Sequence, residues 1–214
     1  ILANNNLTDT IPPEIGDLTA LTRLWLYSNQ LRGPLPPEIG NLSLLRELFI
    51  YGNSLNGNLP AEIGLLTALQ DLRLSQNQFS GDIPPALGNL VSLRLLLLPN
   101  NNFTGTIPPE LGNLVDLQQL NIAGTQVSGE IPVELGNLES LSILWLAQNN
   151  LSGTIPGELS NLSLLTQLAL NGNNLTGTIP SSFSQLSNLE WLFLENNQLG
   201  GFIPEAIGAM QSLV

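Results

Sequence analysis

The sequence predicts an α/β solenoid, a single domain in which short turns of chain stack on one another. Three observations predict it. A leucine returns every 24 residues, apolar and polar or aromatic residues alternate after it, and a segment bounded by proline and glycine follows. A fixed period of this size indicates units that cannot bury their apolar face alone and therefore pack against their neighbours.

The leucine period sets the domain organisation. It divides the chain into a partial turn at 1–20, eight full repeats over 21–212 and the start of another at 213. Because no repeat changes length, we expect one domain over 1–214. The uncapped apolar ends predict a central fragment that lacks both terminal caps. The recurring leucines are Leu21, Leu45, Leu69, Leu93, Leu117, Leu141, Leu165, Leu189 and Leu213.

The first segment of each repeat is predicted to be a short strand. Leu24 and Leu26 alternate with Trp25 and Tyr27, which is the period of a strand with one buried face. Equivalent strands of successive turns must pair in parallel, about 4.8 Å apart, and form one long sheet. The residues between the leucines then face outward.

The rest of the repeat predicts a bend and a short helical turn. Gly33 stands where every full repeat has glycine, which indicates a bend that excludes a Cβ atom. Residues 37–40 read Pro-Glu-Ile-Gly, and proline at the start with glycine at the end favours one helical or 3₁₀ turn on the opposite side.

An asparagine column is predicted to be structural. A buried amide must satisfy its donors and its acceptor, and stacked turns offer backbone partners above and below it. Thr125 interrupts the column, whose members are Asn5, Asn29, Asn53, Asn77, Asn101, Asn149, Asn173 and Asn197.

The combined pattern resembles the plant-type leucine-rich repeat over the whole chain. Leucine stands at the first, fourth and sixth positions and asparagine at the ninth, followed by L-x-G-x-I-P. The resemblance implies a right-handed curved superhelix with a concave parallel β-sheet, a second short sheet at L-x-G-x-I-P and helical or 3₁₀ turns on the convex side. It also implies recognition of peptides, proteins or sugars outside the cell, as in receptor-like kinase ectodomains and polygalacturonase-inhibiting proteins.

The outward strand positions carry the candidate ligand-binding residues. All three Trp, both Tyr and two of the six Phe fall there, whereas a solvated face would be polar. Rings together with arginine are typical of binding hot spots. The first patch consists of Arg23, Trp25, Tyr27, Glu47, Phe49, Tyr51, Asp71 and Arg73. The second, apolar patch consists of Ile143, Trp145, Trp191 and Phe193, and Leu97 lies between the two patches.

Three alternatives to ligand binding stay open. The rings could pack laterally on one another and only stiffen the sheet. The chain could be a structural subunit whose apolar sheet is buried in a larger assembly or filament. Ice binding is the third, because pairs such as Thr176 and Thr178 flank the repeated glycine, although Arg32, Asp82 and Glu130 occupy equivalent places.

Composition argues against several classes of function. A net charge of -12 disfavours nucleic acid and anionic membrane surfaces, and the chain has no apolar run long enough for direct membrane insertion. Without Cys, His or Lys, the usual nucleophile pairs and Schiff-base chemistry are missing. Glu47 and Asp71 could form a carboxylate pair, but Arg23 and Arg73 beside them favour charge balance. We expect no enzyme activity, cofactor or metal site.

Sequons of the form Asn-x-Ser/Thr favour the secretory route. The repeat itself generates Asn-Leu-Ser and Asn-Leu-Thr, so several sequons arise without selection for glycans. With the resemblance above, they predict an extracellular or secretory-lumen location. The glycosylation candidates are Asn6, Asn41, Asn102, Asn150, Asn161 and Asn174.

Overall fold

The computed structural model describes the backbone of residues 1–214 and every side chain except those of Ala206 and Ala209. Stacked turns of strand and 3₁₀ helix form the predicted α/β solenoid, a right-handed leucine-rich-repeat superhelix; the strands are numbered β1 to β15 in chain order. The concave sheet is parallel and comprises β2 (Arg23–Trp25), β4 (Glu47–Phe49), β6 (Asp71–Arg73), β8 (Leu95–Leu97), β10 (Gln119–Asn121), β12 (Ile143–Trp145), β14 (Gln167–Ala169) and β15 (Trp191–Phe193).

Alternation along each strand separates the core from the concave surface. In β4, Leu48 is fully buried, whereas Glu47 and Phe49 face outward and are half-buried. Neighbouring strands pair residues 24 positions apart, so that Glu47 pairs with Asp71. A side chain therefore meets the same repeat position on the turns above and below it, which gives a continuous leucine core and outward columns.

The predicted second sheet is present, in two pieces. The first piece contains β1 (Thr8–Asp9), β3 (Gln30–Gly33), β5 (Ser54–Asn58), β7 (Gln78–Asp82) and β9 (Asn102–Thr104), and the second pairs β11 (Ser128–Gly129) with β13 (Asn150–Leu151). An isolated bridge between Thr106 and Ser128 lies between the pieces. Gly33 has the left-handed φ of 78° that the predicted bend requires.

The convex turns are 3₁₀ helices, which resolves the choice that the sequence left open. Each is preceded by proline, and the prolines before the first eight helices are extended, as at Pro36 with φ of -69°. Among the residues that the structure describes, no helix is long and apolar enough to cross a membrane. The helices are Pro13–Asp17, Pro37–Asn41, Ala61–Leu65, Pro85–Asn89, Pro109–Asn113, Val133–Asn137, Gly157–Asn161, Ser181–Gln185 and Glu205–Ala209.

Asparagine side chains tie each turn to the preceding one. The Asn77 Oδ1 atom accepts a hydrogen bond of 3.0 Å from the Leu55 N–H group. Its Nδ2 atom donates to the carbonyl oxygens of Ile50 at 2.9 Å and Leu74 at 3.1 Å. One buried amide thus satisfies three backbone groups that water cannot reach.

The column changes at Thr125, close to the gap in the second sheet. Its Oγ1 atom lies 2.6 Å from Asn149 Oδ1 and 3.2 Å from the Ile122 oxygen. A hydroxyl carries one proton, whereas the amide that it replaces carries two. Asn149 Oδ1 therefore accepts a hydrogen bond from the Thr125 side chain, whereas Asn173 Oδ1 accepts one from the Leu151 backbone N–H group.

Replacing Thr125 by asparagine is expected to raise the free energy of unfolding by about 1 kcal/mol, because it restores an amide donor to this place. Chemical denaturation measures the change. The control Thr125→Val removes the hydroxyl at similar volume and should lower stability. A Thr125→Asn protein no more stable than the original chain would contradict this account of the column.

Candidate functional site

The first patch lies on the solvent-facing, concave side of β2, β4 and β6. Parallel register aligns its residues into columns along the solenoid axis. Tyr27 and Tyr51 lie two residues after their strands and form a further pair of neighbours. The two strand columns read Arg23, Glu47, Asp71 and Trp25, Phe49, Arg73.

Two aromatic stacks dominate the first patch. The Trp25 and Phe49 ring centroids are 5.3 Å apart with an interplanar angle of 10°, and those of Tyr27 and Tyr51 are 4.6 Å apart with an angle of 4°. The partners belong to neighbouring turns, so both stacks run along the solenoid axis. In each stack the two rings cover one face of each other, and all four side chains are half-buried.

An arginine continues the first stack. The Arg73 guanidinium carbon lies 4.6 Å from the Phe49 ring centroid, which is within cation–π range. Asp71, two residues earlier on β6, accepts bonds from Arg73 Nη2 at 2.8 Å and Nε at 3.0 Å. The hydrogen bond to Asp71 is the main cause that raises the pKa of Arg73, although burial opposes it. Arg73 therefore ends the stack with a positive charge that Asp71 holds in place over the Phe49 ring.

The charges do not form the network expected from the sequence. Glu47 Oε2 accepts a hydrogen bond of 2.9 Å from Trp25 Nε1, and Asp71 pairs with Arg73 on its own strand. Arg23 is exposed, and among the described residues it has no ion-pair partner. The expectation of four charges in mutual balance was therefore wrong, because the indole N–H group supplies the donor for Glu47.

The Tyr51 hydroxyl resists deprotonation. Burial raises the pKa of Tyr51, and the neighbouring Tyr27 raises it further, while Arg73 acts in the opposite direction. At neutral pH the Tyr51 hydroxyl is thus protonated and can donate a hydrogen bond. The first patch offers a ligand this hydroxyl, ring edges and the unpaired Arg23 guanidinium.

The second patch is less continuous than the first. Ile143 and Trp145 lie on β12, and Trp191 and Phe193 lie on β15, with β14 between them. The Trp191 and Phe193 rings meet edge to face, with centroids 5.9 Å apart and an angle of 83°. Leu97 is half-buried on β8, between the two patches.

Gln167 on β14 belongs to the second patch, and the sequence prediction missed it. It follows Trp145 by 22 residues, the spacing from Trp25 to its acceptor Glu47. Trp145 Nε1 and Gln167 Oε1 are buried and, within the described part of the chain, have no hydrogen-bond partner. The repeated spacing of Trp with Glu or Gln was the available signal.

The six sequon asparagines are all exposed. Asn102 and Asn150 begin β9 and β13 on the second sheet, whereas Asn41 and Asn161 end 3₁₀ helices. The structure thus places the sequons on the flanks, away from the outward columns of the concave sheet.

Family models match most of the chain. A model described as Leucine rich repeat matches residues 165–214. A second, described as Leucine Rich Repeat, matches residues 20–42, 68–90, 92–114, 116–138 and 140–162. Among proteins with curated descriptions, none is significantly similar to this chain.

Solved structures of plant proteins share the fold. The plant peptide hormone receptor RGFR1, in complex with RGF2, is 38% identical with a TM-score of 0.97 over 98% of this chain and 34% of the receptor. PEPR1 with AtPEP1 is 43% identical, with a TM-score of 0.95 over 99% of this chain and 30% of the other. A plant ice-binding protein is 31% identical, with a TM-score of 0.85 over 100% of this chain and 68% of its own. The chain thus spans about a third of the two receptors' length.

Proposed function

This chain belongs to the plant-type leucine-rich-repeat family, and on that premise we propose that it binds an extended segment of a peptide or protein on its concave sheet without catalysing a reaction. The observation that carries the proposal is the first patch, in which two aromatic stacks and a fixed Arg73 form a half-buried surface. The surrounding sheet holds these groups in place before a ligand arrives, which lowers the entropy cost of binding.

Ring orientation favours a peptide or protein over a glycan. Sugars pack best on exposed ring faces, but one face of Trp25 lies against Phe49, and Arg73 lies over the Phe49 ring as well. Ring edges carry partial positive charge, and the Tyr51 hydroxyl is a donor. Both suit the carbonyl and carboxylate oxygens of a polypeptide.

The distance between the two patches determines how long a peptide must be to contact both of them. Five strand spacings lead from β2 to β12, which is about 24 Å at about 4.8 Å per strand. An extended peptide rises about 3.3 Å per residue, so about seven residues connect Trp25 to Trp145. A shorter ligand would contact one patch only.

The comparisons support the proposal. RGFR1 is a peptide hormone receptor in complex with RGF2, and PEPR1 was solved with AtPEP1. We propose further that this chain lies outside the cell or in the secretory lumen, as part of a receptor-like or secreted protein. Binding of a natural peptide, and of any co-receptor with it, is part of this proposal.

Ice binding is a weaker second candidate. The likeness to a plant ice-binding protein favours it, and Thr154, Thr176 and Thr178 are exposed on the flank. Arg32 and Asp82, however, occupy equivalent places on other turns of the second sheet, and charged side chains break a regular hydroxyl surface. The peptide proposal accounts for more of the molecule.

A peptide selection tests the proposal. Peptides selected from a random display library on this chain should bind Trp25→Ala at least about 30-fold more weakly, the factor expected of a hot spot worth about 2 kcal/mol. Titration calorimetry measures the change. Trp25→Phe keeps a ring in the stack but loses the bond to Glu47, so it should lose less.

The control is Val133→Ala, which shortens an exposed side chain on the convex side and should leave affinity unchanged. Circular dichroism of each variant checks that the fold is kept. Selected peptides that bind Trp25→Ala and the original chain equally would remove the first patch from the proposal.

A further inference from the structure

A groove opens on the flank of the solenoid where the 3₁₀ helices lead into the strands of the concave sheet. Its volume is about 670 Å³, and residues of three successive turns line it, among them Val115, Gly136, Asn161 and Leu164. Val115 is 48% exposed and Leu164 is 52% exposed. Exposed apolar side chains that line one groove indicate a surface that gains from being covered.

A modification acceptor stands in the wall of this groove. Asn161 is the first residue of the sequon Asn161-Leu162-Ser163, and its side chain is exposed. Leu162 is fully buried, and the Ser163 N–H group donates a bond of 2.8 Å to the Asn161 carbonyl oxygen. The acceptor amide therefore lies on a turn that is anchored in the core.

We propose that Asn161 carries an N-linked glycan whose first sugar lies in this groove and covers Val115 and Leu164. The attachment point is part of the lining, so the first sugar enters without crossing open solvent. Its apolar ring face can contact the two aliphatic side chains, while its hydroxyls remain at the rim near Glu139 and Asn137. The proposal requires passage through the secretory lumen and does not depend on any ligand of the concave sheet.

Asn102 provides an internal comparison. It is also an exposed sequon asparagine, but it begins β9 on the second sheet, and its glycan would extend into solvent. A sugar held in the groove should be released more slowly from the native protein than one at Asn102.

The experiment uses the chain secreted from a host that adds high-mannose glycans. Glycopeptide mass spectrometry should find Asn161 occupied. An endoglycosidase that cuts between the first two sugars should cleave at Asn161 about tenfold more slowly than at Asn102, which corresponds to about 1.4 kcal/mol of contact free energy. After denaturation the two rates should become equal.

Matched variants identify the contacts. Leu164→Ser should speed cleavage at Asn161 toward the Asn102 rate and leave Asn102 unchanged. Ser163→Ala should abolish occupancy at Asn161, and Ser163→Thr should retain it. Secreted protein with unmodified Asn161 would overturn the proposal, and so would equal native cleavage rates at Asn161 and Asn102.

Discussion

Replacing Asn101 by alanine should lower the free energy of unfolding by about 3 to 5 kcal/mol, because three backbone groups lose their partner inside the core. The side chain is 4% exposed. Its Nδ2 atom donates to the oxygens of Leu98 at 2.9 Å and Leu74 at 3.0 Å, and its Oδ1 atom accepts from the Phe79 N–H group at 3.0 Å. Water cannot replace these bonds without opening the turn.

The adjacent residue is the control. Asn102 is exposed at the start of β9, so Asn102→Ala should change stability by less than about 0.5 kcal/mol in unglycosylated protein. Asn101→Asp retains the acceptor but loses both donors and should be strongly destabilised as well. Urea denaturation of the variants measures the differences. Equal midpoints for Asn101→Ala and Asn102→Ala would show that the column does not hold the turns together.

Replacing Gly112 by alanine is the second large effect that we expect. An ideal Cβ atom on Gly112 would overlap the backbone oxygen of Glu134 on the next turn. Neither group is at the end of a flexible side chain, so the two 3₁₀ helices must move apart. Overpacking of this kind costs about 1 to 3 kcal/mol and more where backbone must shift.

Gly200→Ala is the matched control, because a Cβ atom there would meet nothing within 4 Å. A glycine-to-alanine change without strain stabilises by about 0.4 to 1 kcal/mol through the unfolded chain. The two variants should therefore shift the thermal midpoint in opposite directions. A Gly112→Ala protein as stable as Gly200→Ala would mean that the convex turns are less tightly stacked than the distances indicate.

Periodicity was sufficient to predict the architecture. Leu24 and Leu26 specified a strand with one buried face, and Gly33 specified the left-handed bend after it. These predictions succeeded because each column repeats one local requirement on every turn, so a single pattern is observed many times. Each convex helix has only five residues, which is fewer than two turns. Sequence pattern does not distinguish α from 3₁₀ geometry over so short a segment.

The break in the second sheet was not predicted. Thr125 was visible as an exception in the asparagine column, but the pairing of its hydroxyl with Asn149 was not. The left-handed φ of Ser28 and Gln76, which precede column asparagines, was also missed. Glycine stands at the same place in Gly52, Gly124 and Gly172, and that alternation was the signal.

Pairing within the first patch also went beyond the sequence. The columns correctly placed Glu47 beside Asp71 and Trp25 beside Phe49. The hydrogen-bond donor of a carboxylate depends on which side chains can reach it diagonally from the neighbouring strand. Trp25 reaches Glu47 across one turn, whereas opposite charge alone had suggested Arg23.

Among the residues that the structure describes, every hydrogen bond that joins the turns runs to an immediate neighbour, as Asn77 does with the carbonyl of Ile50 one turn earlier. A gene encoding such a chain can gain or lose one whole unit by unequal crossing-over, and each new junction then reproduces contacts that already exist elsewhere. Loss of a partial unit would misalign every column at once. Addition of whole units thus lengthens the concave sheet without requiring a new core.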